Sequence, residues 1–261
     1  MHIIRKILAT AALCAPLALA PAAARAAPGA RRSVPAAIAA AVADPHRPSS
    51  DRARDRLRKP GRTIAFAGIH PGEIVGELLP GEGYFTRIFS RVVGPSGHVY
   101  AVAPPPPPNG HDYQAGARAL AHDPYYANVT ILAEPLTALH FPRPVDIVWT
   151  SQNYHDLHNI PGFDVEHFDR LVYAALKPGG IYFVLDHAAA AGSGTSDTST
   201  LHRIDPAVVK REVLAAGFEW AGASDLLHRP QDPHTAVVWD PSIRGHTDQF
   251  IFKFRKPRHP R

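Results

Sequence analysis

From residue 74 onward, short apolar runs of β type recur, each followed by an amphipathic stretch or a turn-rich loop. That alternation predicts a mostly parallel sheet covered by helices. The runs at 74–78, 98–103, 129–133, 145–150 and 181–186 are predicted as strands one to five. After the first, Phe85, Ile88, Phe89 and Val92 fall at i, i+3, i+4 and i+7, which makes one helix face apolar. Val165, Phe168, Leu171, Val172 and Leu176 mark a helix over 164–176, which Lys177-Pro178-Gly179-Gly180 ends. Another helix is predicted at about 206–216, with Pro206 in its first turn and Gly217 at its cap. The stretches 236–239 and 249–254 read as two strands that close one sheet edge, with an antiparallel end.

Upstream of the alternating region, 35–42 has helical composition and stops at the turn-like stretch 44–50. A second helix is predicted from Asp51, as N-cap, to about Arg58, with Pro60-Gly61 ending it. Two stretches are low in complexity: the prolines 104–108, predicted as extended polyproline, and 188–200, predicted as a mobile loop. At the start of the chain, Arg5 and Lys6 precede an Ala/Leu-rich run too short to span a membrane. Ala24-Arg25-Ala26 follows with the small-x-small form of a cleavage site. The expected organisation is a signal peptide at 1–26, a linker and N-terminal helical extension at 27–62, and one domain at 63–258.

Composition supports this division. With 45% hydrophobic residues in 261, the chain can bury the core of one medium domain. Its single cysteine, Cys14, lies in the predicted signal, so the mature chain has no thiol or disulfide chemistry, in keeping with a periplasmic or secreted location. Loss of Arg5, Lys6 and Arg25 takes three charges from the formal +5 and leaves +2. That balance calls for neither nucleic acid nor an anionic membrane surface. The basic run 52–62 follows Asp51, contains Asp55 and reads as the coat of a helix.

Chemistry concentrates where the first strand turns into the first amphipathic helix, at Glu77-Leu78-Leu79-Pro80-Gly81-Glu82-Gly83. Gly81 and Gly83 let the backbone approach a ligand closely, at the carboxyl end of a strand where such sheets bind cofactors. This segment, with Leu176-Lys177-Pro178-Gly179-Gly180 downstream, resembles the motifs of class I S-adenosylmethionine-dependent methyltransferases. Asn153-Tyr154-His155-Asp156-Leu157-His158-Asn159, Asp186-His187 and Phe252-Lys253-Phe254-Arg255-Lys256-Pro257 are similar to an exported group within that family. The resemblance covers 34–257. It implies a Rossmann-like α/β fold with a mostly parallel seven-stranded sheet, an antiparallel edge strand and an N-terminal helical extension. It also implies S-adenosylmethionine as cofactor and methyl transfer to a small-molecule or protein acceptor.

By the same resemblance, Glu77 faces the amino-acid part of the cofactor, Pro80, Gly81 and Gly83 make room for it, and Glu134 faces the adenine amino group. Asn153 joins this cofactor-binding set. Two positions depart from the pattern. Leu79 stands where the fuller motif has glycine, and Ala103 ends the second strand where an acid normally binds the ribose hydroxyls. Asp112 is one substitute for that acid.

For catalysis, the loop after the fourth strand offers His155 as a base and Asp156 as its orienter, facing Asp186 and His187 across the same cleft. His155, His158 and His187 also form a metal-binding alternative, but sixteen histidines make chance clustering the simpler account, and no metal is assigned. Two other function classes stay open. One is an exported, non-catalytic ligand- or metal-binding protein on a degenerate fold, which Leu79 and Ala103 favour. The other, ranked last, is a nicotinamide-dependent oxidoreductase, opposed by Thr86 in place of a third glycine.

Overall fold

A computed structural model describes residues 33–259, apart from 107 and 109, so the predicted signal peptide and most of the linker lie outside the described residues. Three helices come first: α1 (Ala36–Val42), α2 (Ser49–Arg58) and α3 (Pro60–Ala67). Pro48, not Asp51, occupies the N-cap of α2. Asp51 lies buried in the first turn, where a carboxylate complements the helix dipole, and pairs with Arg54 at 2.6 Å and Arg87 at 3.0 Å. Pro60 does not simply end a helix. Lys59 takes a left-handed φ of 48° that breaks the chain direction, and Pro60 then opens α3, where its missing N–H costs nothing.

The sheet contains β1 (Ile74–Leu78), β2 (His98–Val102), β3 (Val129–Leu132), β4 (Val145–Ser151), β5 (Leu176–His187), β6 (Glu219–Ser224) and β7 (Gln249–Arg255). Their order is β3-β2-β1-β4-β5-β7-β6. The first five strands are parallel, and β7 runs antiparallel to both β5 and β6. The antiparallel strand therefore lies one place in from the edge. The predicted strand at 236–239 is instead a run of bends and turns. The slot beside β7 is already filled by β6, whose Trp220 packs on Phe252 and Phe254 at 5.0 and 5.3 Å between ring centroids.

Helices α4 (Tyr84–Val93), α5 (Ala115–Leu120), α6 (Tyr154–Leu157), α7 (Val165–Ala175) and α8 (Pro206–Ala215) connect the strands. Alternation along the strands divides the core in two. Val75, Ile147, Trp149, Phe183 and Ile251 pack with α1, α3 and α4 on one face. Leu78, Val148, Tyr182, Val184 and Phe254 pack with α7 and α8 on the other. The N-terminal helices are thus part of the domain's core: Ile38 and Ile64 are buried against α4.

Two low-complexity stretches take different forms. Pro104, Pro105, Pro106 and Pro108 belong to no helix or strand. The stretch predicted as a mobile loop is a series of turns tied back to the end of β5. Ala189 N donates to Ile204 O at 3.0 Å, Ile204 N to His187 O at 3.0 Å, and Gly192 N to the Asp205 carboxylate at 2.7 Å.

Candidate active site

The order of strands reverses between β1 and β4, and the carboxyl ends of those two strands form the crevice that such sheets use for ligands. Leu79 leaves β1 with a left-handed φ of 49°, a conformation that favours glycine. Its N–H donates to Val102 O at 3.0 Å, and Asn153 Nδ2 donates to its carbonyl at 3.1 Å. Gly81 and Gly83 follow at φ 60° and 77°. At Gly83, the N-cap of α4, a Cβ would lie 2.7 Å from the Leu120 Cδ1 methyl, which would have to turn aside.

Glu77 is buried, 3% exposed, at the floor of this turn and accepts a 2.6 Å bond from Thr86 Oγ1. Burial pushes its pKa up to about 8, against the Thr86 bond and the charges of Arg58 and Arg87. Arg58, from α2, closes the other side. Its guanidinium lies 4.5 Å from the Tyr84 ring centroid and donates to Gln152 Oε1 at 2.5 Å. Burial lowers it to about 10, which leaves it charged at neutral pH. Between them is a cavity of about 40 Å³ bordered by Pro80, Tyr84, Ser151 and Asn153. Ser151 Oγ and Trp149 Nε1 also belong to the residues around it, and both are buried without a hydrogen-bond partner.

Those residues fit the amino-acid end of S-adenosylmethionine: an acid, a guanidinium and unpaired polar atoms match an ammonium and a carboxylate. The ribose end differs. Ala103 is fully buried, and Arg118 donates to its carbonyl, to Pro104 O at 2.9 Å and to Asp112 at 2.7 Å. Asp112 is thereby engaged by Arg118 and by the Gln114 N–H. The neighbouring segment also uses the turn's own backbone: Gln114 Oε1 accepts from Gly81 N at 2.6 Å, and Ala117 N donates to Gly81 O at 3.1 Å. Glu134 is exposed beyond β3 and does not line the cavity.

Beside Arg58 and Gln152 opens a second, larger cleft of about 300 Å³, lined also by Arg54, Arg244, His187 and Trp239. Sequence reasoning missed its arginines. Arg54 and Arg58 lie in the basic run read as a helix coat, and their i, i+4 spacing was the available signal that they share a face. His187 is neutral at neutral pH because burial holds its pKa at about 4, and its Nδ1 lies 2.9 Å from Thr247 Oγ1.

His155 and Asp156 stand at the start of α6, next to this cleft. His155 is buried and bonds through Nδ1 to Asp186 Oδ1 at 2.9 Å; Asp186 Oδ2 also accepts its backbone N–H at 2.8 Å. Burial opposes protonation of His155, but Asp186 and then Asp156 outweigh it and raise its pKa to about 10. With that proton in place the ring is not a general base at neutral pH. The orienting carboxylate on Nδ1 is Asp186, while Asp156 faces Nε2 at 3.3 Å. His158 and His187 stand apart from the His155 Nε2 side: His158 Nε2 lies 3.2 Å from Glu212, and the His187 ring is 6.5 Å from that of His155. His202, which sequence spacing could not connect, lies 3.2 Å from His155 Nε2.

No family model matches the chain. Solved structures share the architecture across most of it. A S-adenosylmethionine-dependent methyltransferase from Aquifex aeolicus matches at 16% identity and TM-score 0.53, covering 78% of this chain and 98% of that one. An arsenic(III) S-adenosylmethionine methyltransferase from Chlamydomonas reinhardtii matches at 18% and 0.55, covering 87% and 75%. The chain has the class I methyltransferase fold. The same methyltransferase fold is also matched by the [4+2]-cyclase SpnF, at 19% identity and TM-score 0.55, covering 81% and 82%. In sequence, a ubiquinone/menaquinone biosynthesis C-methyltransferase of Pasteurella multocida is 34% identical over 125 residues. That match takes in 48% of this chain and 43% of the relative, so the chain spans under half the length of the curated protein it matches.

Proposed function

We propose that the protein is an S-adenosylmethionine-dependent methyltransferase whose acceptor is an anionic small molecule. The observation that carries this reading is the crevice at the strand reversal, where Glu77 and Arg58 face each other across unpaired Ser151 Oγ. The methyltransferase fold and the methyltransferase in the sequence match support it. Glu77 would hold the cofactor's ammonium and Arg58 its carboxylate, with Asn153 supporting the turn from below. When bound, the cofactor supplies an electrophilic methyl group on a sulfonium. The cavity of about 40 Å³ has room for about three waters, so entry requires Arg58 and Gln152 to draw apart.

Acceptor class follows from the adjoining cleft. Arg54, Arg58 and Arg244 border it, Trp239 offers a half-exposed ring, and His187 offers a neutral imidazole. Arg58 is committed to the cofactor and Arg54 to Asp51, so Arg244 is the guanidinium that favours a carboxylate, phosphate or phenolate, and an aromatic wall favours a planar one. In-line displacement from a sulfonium draws much of its rate from positioning and exclusion of water, which a walled cleft supplies.

Titration calorimetry with S-adenosylmethionine, its demethylated product and NAD tests the reading. Heat with the first two and none with NAD is expected. Absence of heat and of any thermal shift with the first two, up to millimolar concentration, would sink it. Turnover with a panel of aromatic carboxylates and phenols then tests acceptor class: Arg244→Ala is expected to raise KM about tenfold or more with little change in kcat.

A further inference from the structure

Among the described residues, one set of three metal-ligating side chains converges: His155, Asp156 and His202. The atoms that meet are His155 Nε2, Asp156 Oδ1 and His202 Nδ1. Their separations are 3.2 Å between the two nitrogens, 3.3 Å from His155 to Asp156 and 3.7 Å from His202 to Asp156. The circle through three atoms so spaced has a radius of about 2.0 Å, close to the zinc–nitrogen and zinc–oxygen bond lengths of about 2.0–2.2 Å. A single ion near the centre of that triangle touches all three donors without any of them moving far.

The surroundings complete such a site. Asp186, fully buried, accepts from His155 Nδ1 at 2.9 Å and is itself fixed by the backbone N–H groups of His155 at 2.8 Å and His187 at 2.7 Å. A carboxylate on the far nitrogen is the support that orients metal-bound imidazoles and leaves Nε2 free to bind. Asp156 and His202 are partly exposed, 43% and 30% at the side chain, so the outward side of the triangle is open to water or to an anionic oxygen. His202 also packs on Trp239 at 4.3 Å between centroids, and Trp239 lines the arginine-rich cleft.

We propose that His155, Asp156 and His202 bind one divalent transition-metal ion of the zinc class, joining α6 to the 188–204 loop and presenting an open coordination position beside the cleft. The donor set, two imidazoles and a carboxylate, suits zinc, and also binds cobalt, nickel and copper. Binding displaces the proton that the two carboxylates otherwise hold on His155. The site is independent of the methyl-transfer reading, since its donors do not border the Glu77 cavity.

The test uses the full chain, stripped with a chelator and then titrated with zinc against a chromophoric competitor, with cobalt as a spectroscopic probe. One equivalent and a visible tetrahedral cobalt spectrum are expected. His202→Ala and Asp156→Asn should each weaken zinc by a hundredfold or more, and Asp186→Asn by about 10- to 100-fold. His228 and His234 share Asp248 at 2.9 and 3.0 Å and form a separate polar cluster, so His228→Ala should leave zinc affinity unchanged. The proposal is overturned if wild type binds zinc no more tightly than the His202→Ala, Asp156→Asn double variant. Loss of the tight equivalent in His228→Ala alone would overturn it too. His202 and Asp156 are exposed enough for both variants to fold, which circular dichroism of each stripped protein checks.

Discussion

At Glu77, burial and the need to hold a cation pull in opposite directions. The carboxyl is held at about 8, so near neutrality it is largely protonated until an ammonium or other cation arrives. Cofactor binding is therefore expected to release a proton between pH 6 and 8. Calorimetry in two buffers of different ionisation enthalpy reads this directly: equal heats in both would refute it. Glu77→Gln, which keeps shape and removes the charge, should weaken cofactor binding by roughly tenfold or more. At the turn, Gly83 is required by its φ of 77°, while the Leu120 methyl that a Cβ would meet ends a flexible side chain and can turn aside. Gly83→Ala should cost about 1–3 kcal/mol in chemical denaturation. Leu79 is the opposite case, a branched side chain in left-handed backbone, and its strain was foreshadowed by the glycine that the resemblance expects there. The importance of Ser151 was invisible, because nothing in a lone serine after an apolar run tells whether its hydroxyl finds a partner.

Among the elements, α2 carries the most function for its length. Its residue Asp55 takes a bidentate pair from the fully buried Arg47 at 2.7 and 2.9 Å and a 2.6 Å bond from the Tyr84 hydroxyl, which joins the N-terminal helices to α4. Asp55→Ala leaves a buried guanidinium without its counter-charge and should destabilise the protein by about 3 kcal/mol, measured by urea unfolding. Because α2 also sets Arg58 over the cavity, the same variant should weaken cofactor binding. Strands β1 to β5 were legible as short apolar runs, because the sheet is covered on both faces, and helices α4, α7 and α8 from periodicity, since each buries one face. By contrast, β6, with the sequence Glu219-Trp220-Ala221-Gly222-Ala223-Ser224, has no such pattern; it is a strand because the outer edge of β7 is there to pair with it.

For the molecule as a whole, two buried carboxyl groups set the response to pH. Burial raises Asp169 to about 8, as it does Glu77. Unfolded, both ionise near about 4, so between pH 4 and 8 the folded chain binds more protons and stability falls as pH rises. The slope per group reaches at most about 1.4 kcal/mol per pH unit. His187 acts in the opposite sense: its pKa is lowered to about 4, so between about pH 4 and 6.5 its contribution grows with pH and offsets one of the two carboxyls. Thermal unfolding is expected to show a Tm that declines from about pH 6.5 to 8, where His155, raised to about 10, adds to the two carboxyls, with Asp169→Asn giving a shallower decline. A Tm that rises from pH 6 to 8 refutes this assignment.

The sequence by itself determined the α/β class, the strand-turn-helix at 74–93, the chain positions of β1 to β4 and the glycines of the turn, whereas β5 begins at Leu176 and takes in the 177–180 segment read as the end of a helix. These depend on local spacing and local backbone preference, which a linear pattern records. Tertiary structure alone decided what meets across the crevice: Arg58 opposite Glu77, Asp186 rather than Asp156 on His155 Nδ1, and His202 against His155 across 47 positions of chain. It also decided that Glu134 stays at the surface and that Arg118 covers the carbonyl of Ala103. Such contacts arise from the order in which strands are laid side by side and from the loops that return over their ends, and no period in the sequence encodes either.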